Sequence, residues 1–147
     1  MKPRTRLRED PLFLAAILAA PLVWLLLYFA LHPPADLLWP LRNPDALFWG
    51  VIFAPLLEEI LFRGLIQEFV RDYFSDKRFG LLTVANLVTS VLFVIAHIMF
   101  KGFVIWNLLV FFPSLVFGFF KDRTGRLTAS VMLHAYYNLG FLWLMSG

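Results

Sequence analysis

Three ionisable residues, Glu58, Glu59 and Arg63, interrupt the otherwise apolar stretch Ala54-Pro55-Leu56-Leu57-Glu58-Glu59-Ile60-Leu61-Phe62-Arg63-Gly64. Placing any one of them at the centre of a membrane helix costs roughly 2.5–3.5 kcal/mol on insertion scales, so three together point to a purpose beyond structure. On a helix Glu59 and Arg63 are four residues apart with the carboxylate on the N-terminal side, the favourable order for an ion pair along one face. Glu58 projects about 100° round the axis from Glu59 and must look to other helices.

Further along, two apolar segments carry histidines. His97 follows Asn86, Ser90 and Phe93 at steps of four, three and four, which is one face of a helix. Asn86 and Ser90 suit a helix-packing stripe, whereas a histidine at membrane depth is a functional candidate by default. Phe93 would pack beneath the His97 imidazole. His134 and Asn138 are four apart and project together, with Tyr137 between them facing the same cavity or the headgroups. Asn107, Phe111, Ser114 and Gly118 form another stripe, and Pro113 within it favours a kink and a packing role. A carboxylate, two imidazoles and a carboxamide thus sit on three apolar helices. Burial is tolerable only if they face one another or a water-filled cavity, so convergence is the expected arrangement.

The elements that would position them follow from composition. Of 147 residues 61% are apolar and 18% aromatic, with a mean hydropathy of +0.76, well beyond the roughly 45–50% apolar usage of soluble domains. The apolar residues fall into blocks of about twenty, the length that spans a hydrocarbon core of about 30 Å. Alternation over segments of about ten, the mark of a β-barrel, is missing. The expected fold is all-α: one polytopic membrane bundle, residues 1–147 as a single domain, with helices at about 12–31, 46–70, 81–100, 103–120 and 127–145. The first run exceeds a signal-peptide core and reads as an uncleaved helix with a candidate kink at Pro21. The proline-bearing stretch from His32 to Asp45 reads as interfacial, with Trp39 and Trp49 at headgroup level and His32 solvated.

Charge orients the bundle. Lys2, Arg4, Arg6, Arg8, Arg71, Lys77, Arg78, Lys121, Arg123 and Arg126 share one side, against Arg42 and Lys101 on the other. The amino terminus and the loops 71–80 and 121–126 are therefore expected in the cytoplasm, and five spans put the carboxyl terminus outside. The chain is basic, with net charge +3, but its cations flank apolar blocks and form no stripe on a soluble segment, which excludes nucleic acid as a partner. There is no cysteine, hence no disulfide, thiolate metal site or cysteine nucleophile. Helix lengths leave a mismatch of depth. Glu58 falls roughly 18 Å from the outer end of its run and His97 only about 5 Å from the end of its own.

The ordered set Glu58-Glu59-x-x-x-Arg63, Phe93-x-x-x-His97 and His134-x-x-x-Asn138, spread over residues 50 to 140, resembles the CPBP family. This family comprises CAAX prenyl proteases of the Ras-converting type and bacteriocin-immunity proteins, and is also called Abi or glutamic intramembrane proteases. The resemblance implies that Glu58 and His97 activate a water, that His134 and Asn138 hold the oxyanion, and that Glu59 and Arg63 support them. The short chain is similar to bacterial members that process C-terminal sorting tails, which implies a membrane-anchored protein substrate, no cofactor and a place in the bacterial inner membrane.

The residues themselves suit that chemistry. A carboxylate kept from bulk water binds a proton more tightly, as a general base must, and amide and imidazole donors can hold a tetrahedral oxygen. No serine or threonine lies beside a plausible base in a nucleophile motif, so water is the expected attacking group. Two alternatives remain: a zinc protease using Glu58, His97 and His134, though no H-E-x-x-H motif is present, and a non-enzymatic immunity or scaffold protein. A transporter would be expected to show an inverted repeat, and none is visible.

Overall fold

The computed structural model describes residues 7–31, 36, 38–74 and 77–145. The expectations for Lys2, Arg4, Arg6 and the solvated His32 lie outside them. After a 3₁₀ turn at Leu7–Glu9, helix α1 runs over Pro11–Leu31 and continues through Pro21. Short helices α2 (Trp39–Arg42) and α3 (Pro44–Leu47) each place a proline in the first turn, where its missing N–H costs nothing. From α3 the chain stays helical to residue 74: a π-helical segment Phe48–Phe53, α4 (Ala54–Glu59), a second π-helical segment Ile60–Ile66, and α5 (Gln67–Phe74). The sequence shows one helix here over 46–70. The structure adds two widened segments, and the second contains Arg63.

A two-stranded antiparallel hairpin follows, β1 (Arg78–Phe79) and β2 (Leu82–Thr83), where the third helix was expected to have begun already. The cause is local. Gly80 takes φ of +60° at the turn, and the Thr83 hydroxyl accepts from the Asn86 backbone N–H at 3.0 Å, fixing Thr83 as N-cap. Helix α6 therefore spans Val84–Lys101 and ends at Gly102, φ +85°. The fourth helix is divided into α7 (Ile105–Leu109) and α8 (Phe111–Thr124). The break at Val110 lies where the Pro113 ring would meet the carbonyl of Leu109. α8 continues through Lys121-Asp122-Arg123, read from the sequence as a loop, and stops at Gly125 in the left-handed region, φ +68°. Helix α9 covers Thr128–Met145.

The fold is thus an all-α helical bundle, and among the described residues three helices are long and apolar enough to cross a membrane: Pro11–Leu31, Val84–Lys101 and the run Ile105–Thr124. In the run 44–74 the glutamates, Arg63, Gln67 and Arg71 lower the hydropathy, as His134, Asn138 and two tyrosines do in α9. The chain forms two compact units, one of residues 1–56 with 132–147 and the other of residues 57–131. In the first, Tyr137 donates from its hydroxyl to the Ala16 carbonyl at 2.9 Å, and Tyr136 meets the Trp24 indole edge-on at 4.9 Å. Gly140 lets the two helices approach, since a Cβ there would stand 2.1 Å from the indole. In the second unit α6 packs on both α5 and α8.

Candidate active site

Glu59 and Arg63 form an ion pair, Nε to Oε2 at 3.3 Å, with both side chains fully buried. Such a pair needs further hydrogen bonds to offset desolvation, and Arg63 makes two of them, both through Nη2, to the Ser114 hydroxyl at 2.7 Å and to its carbonyl at 3.0 Å. The guanidinium also lies over the Phe93 ring, 5.4 Å from its centre, within the range of a cation–π contact. The pair and Ser114 together tie the glutamate-bearing helix to α8.

Phe93 connects this pair to His97. The Phe93 ring meets Phe62 edge-on at 4.9 Å and the His97 imidazole at 4.4 Å with a tilt of 37°. His97 Nδ1 lies 3.0 Å from the Phe93 carbonyl oxygen, which can only accept. The proton therefore resides on Nδ1, and in the neutral ring Nε2 carries the lone pair. The chain directions also remove the mismatch of depth. Gln67 and Asn86 meet beside Gly118 while Phe62 and Phe93 meet further along, so α6 runs antiparallel to the glutamate helix. Glu58 precedes Phe62 by four residues and His97 follows Phe93 by four, each about one turn on in the same direction. The two are level, and both are half-buried. Helix ends were a poor ruler because they fray and vary in length.

In the other unit, His134 is buried, 4% exposed. Asn138 Nδ2 donates to the Gly50 carbonyl at 2.9 Å, which settles the orientation of the amide and leaves its second N–H to spare. Gly50 belongs to the first π-helical segment, and such segments recur at functional sites. Tyr137 ties α9 to α1 through Ala16. Of the site residues expected, Glu58, Glu59, Arg63, Phe93 and His97 fall in one unit, His134 and Asn138 in the other. Among the described residues no group of three His, Asp or Glu side chains could hold a metal ion.

Sequence reasoning missed a polar ladder beneath the ion pair. Arg63 bonds Ser114, Gln67 Nε2 donates to the Gly118 carbonyl at 3.2 Å, and Arg71 pairs with Asp122; each partner is 51 residues on. A constant offset means that the glutamate helix and α8 run parallel and in register, with rungs every four residues. Gln67 and Thr83 also donate to Asp122, both at 2.7 Å, and Lys121 pairs with Glu68. The signal was present in the sequence as Glu59, Arg63, Gln67 and Arg71 at strict steps of four.

The sequence profile of the type II CAAX prenyl endopeptidase Rce1-like family matches residues 40–140. Neither a curated protein nor a solved structure matches the chain. The matched segment includes every site residue named above and most of the chain. This protein belongs to the Rce1-like, CPBP family of membrane proteases. It is an integral membrane protein whose family acts on membrane-associated protein substrates.

Proposed function

We propose that the chain is an intramembrane endopeptidase of glutamic type, cutting a peptide bond in or near the membrane-embedded C-terminal segment of its substrate without a metal. Glu58 takes a proton from a water whose oxygen attacks the scissile carbonyl carbon. His97 Nε2 accepts that water's other hydrogen and fixes its direction of approach. His134 and the second N–H of Asn138 donate to the developing oxyanion. The C–N bond then breaks as the proton held by Glu58 passes to the departing amine. Glu59, Arg63 and Phe93 serve as positioning residues. The reading is carried by the seat of His97, level with Glu58 and held in the tautomer that presents a lone pair from Nε2. Within it the chain sits in a bacterial inner membrane with five spans, the amino terminus in the cytoplasm and the carboxyl terminus outside.

Purified protein in detergent or liposomes, incubated with a lipid-anchored or membrane-spanning C-terminal peptide, tests the mechanism. Glu58→Gln should keep its helical content and lose cleavage, and the wild type should stay active after chelator treatment. Activity lost to chelator and restored by zinc would replace this mechanism with a metal-dependent one. Full activity in Glu58→Gln would remove the glutamate from the chemistry.

A further inference from the structure

The hairpin between α5 and α6 is small and firmly seated. Arg78 pairs with Thr83 and Phe79 with Leu82, and the Val84 N–H donates to the Lys77 carbonyl at 2.9 Å. Thr83 at its base is buried and donates to Asp122 Oδ2, which fastens the hairpin to the end of α8. Its tip does the opposite. Phe79 is 72% and Leu81 74% exposed, and on the neighbouring α5 Tyr73 and Phe69 are exposed as well. Lys77 and Arg78 in the hairpin, and Arg123 and Arg126 beyond Asp122, are exposed cations, whereas Asp72 is the one exposed carboxylate here among the described residues.

We propose that this hairpin is an interfacial anchor, bedding Phe79 and Leu81 at the level of the acyl-chain boundary while the cations around it hold anionic phospholipid headgroups. The fit is one of shape and charge. Two apolar side chains, with Lys77 and Arg78 in the same hairpin and Arg123 and Arg126 just beyond the Asp122 that seats it, are far short of the roughly 800 Å² per partner that a stable protein interface buries. They match the arrangement in which an apolar edge enters the interface and basic groups meet a negative leaflet, an attraction that fades within a Debye length and so weakens with salt. Seating by Thr83 and Asp122 means that the anchor would hold α5, α6 and α8 at one level against the membrane surface.

The chain has no cysteine, so single substitutions can be labelled cleanly. Leu81→Cys and, as control, Asp72→Cys would carry an environment-sensitive fluorophore in liposomes of phosphatidylcholine alone or mixed with phosphatidylglycerol. In the mixed liposomes the label at 81 should be quenched by brominated acyl chains and resist aqueous iodide severalfold better than the label at 72. Lys77→Gln with Arg78→Gln should shrink that protection toward its value in phosphatidylcholine, and raised salt should do the same. Equal iodide quenching at both positions would overturn the anchor. So would a label at 81 shielded from both quenchers, which would mean contact with protein. Protection indifferent to headgroup charge and to the Lys77/Arg78 change would overturn the assignment of anionic lipid.

Discussion

Gly118→Ala sets helix propensity against packing, and the geometry decides between them. Within the interior of α8 the exchange alone favours the helix by about 1 kcal/mol. A Cβ at this position, however, would stand 1.9 Å from Asn86 Oδ1, 2.5 Å from its Cγ and 3.0 Å from Gln67 Oε1. Neither carboxamide is free to swing. Asn86 Nδ2 donates to the Leu115 carbonyl at 2.9 Å and its Oδ1 accepts from the Ser90 hydroxyl at 3.2 Å, while Gln67 is bound to Gly118 and Asp122. Making room breaks hydrogen bonds in a fully buried cluster, at about 1–3 kcal/mol for a polar group left stranded, and adds about 1–3 kcal/mol of crowding. After the gain in propensity a net loss of about 1–5 kcal/mol remains. At about 2–4 °C per kcal/mol, thermal unfolding in detergent followed by helical circular dichroism should show a midpoint lower by at least about 2 °C. Asn86→Ala in the same chain removes the clashing carboxamide, so the double variant should lose less than the two single losses added together. An unchanged or raised midpoint in Gly118→Ala, or simple additivity with Asn86→Ala, would refute the claim that the ladder is rigid at this rung.

Arg63→Ala strands the buried Glu59 carboxylate and should cost about 3–5 kcal/mol, read as reduced folded yield and a lower unfolding midpoint; normal yield and stability with no cleavage would move Arg63 into the chemistry. Asn138→Ala should keep helical content and reduce kcat by about 10²–10³, the usual loss for one oxyanion donor, with little change in KM; a loss confined to KM would point to substrate binding instead. For topology, maleimide labelling of Lys77→Cys and Lys101→Cys in sealed vesicles should reach the two positions from opposite sides, since the charge asymmetry predicts 77 in the cytoplasm and 101 outside. Access to both from one side would overturn the orientation.

What the sequence disclosed depends on whether a contact closes within one helix or between two. Glu59 with Arg63 and Phe93 with His97 are each four residues apart, so helical periodicity alone implied that they meet, and they do. The apolar blocks likewise implied helices, while the break at Val110 and the hairpin at 78–83 left no mark in them. Register between helices has no local code. Ser114, Gly118 and Asp122 read as a packing stripe followed by a charged break, because nothing near them in sequence reveals that Arg63, Gln67 and Arg71 lie alongside. Once those partners are supplied, a segment rich in charge is stable as helix, and α8 extends to Thr124. The π-helical segment holding Arg63 escaped for the same reason. Such widening is unfavourable in isolation, and this one coincides with a residue that bonds to Glu59 on its own helix and Ser114 on another. The geometry of the glutamate helix is therefore set by its neighbours, and a change at Ser114 or Gly118 should be felt at the level of Glu58 without touching it.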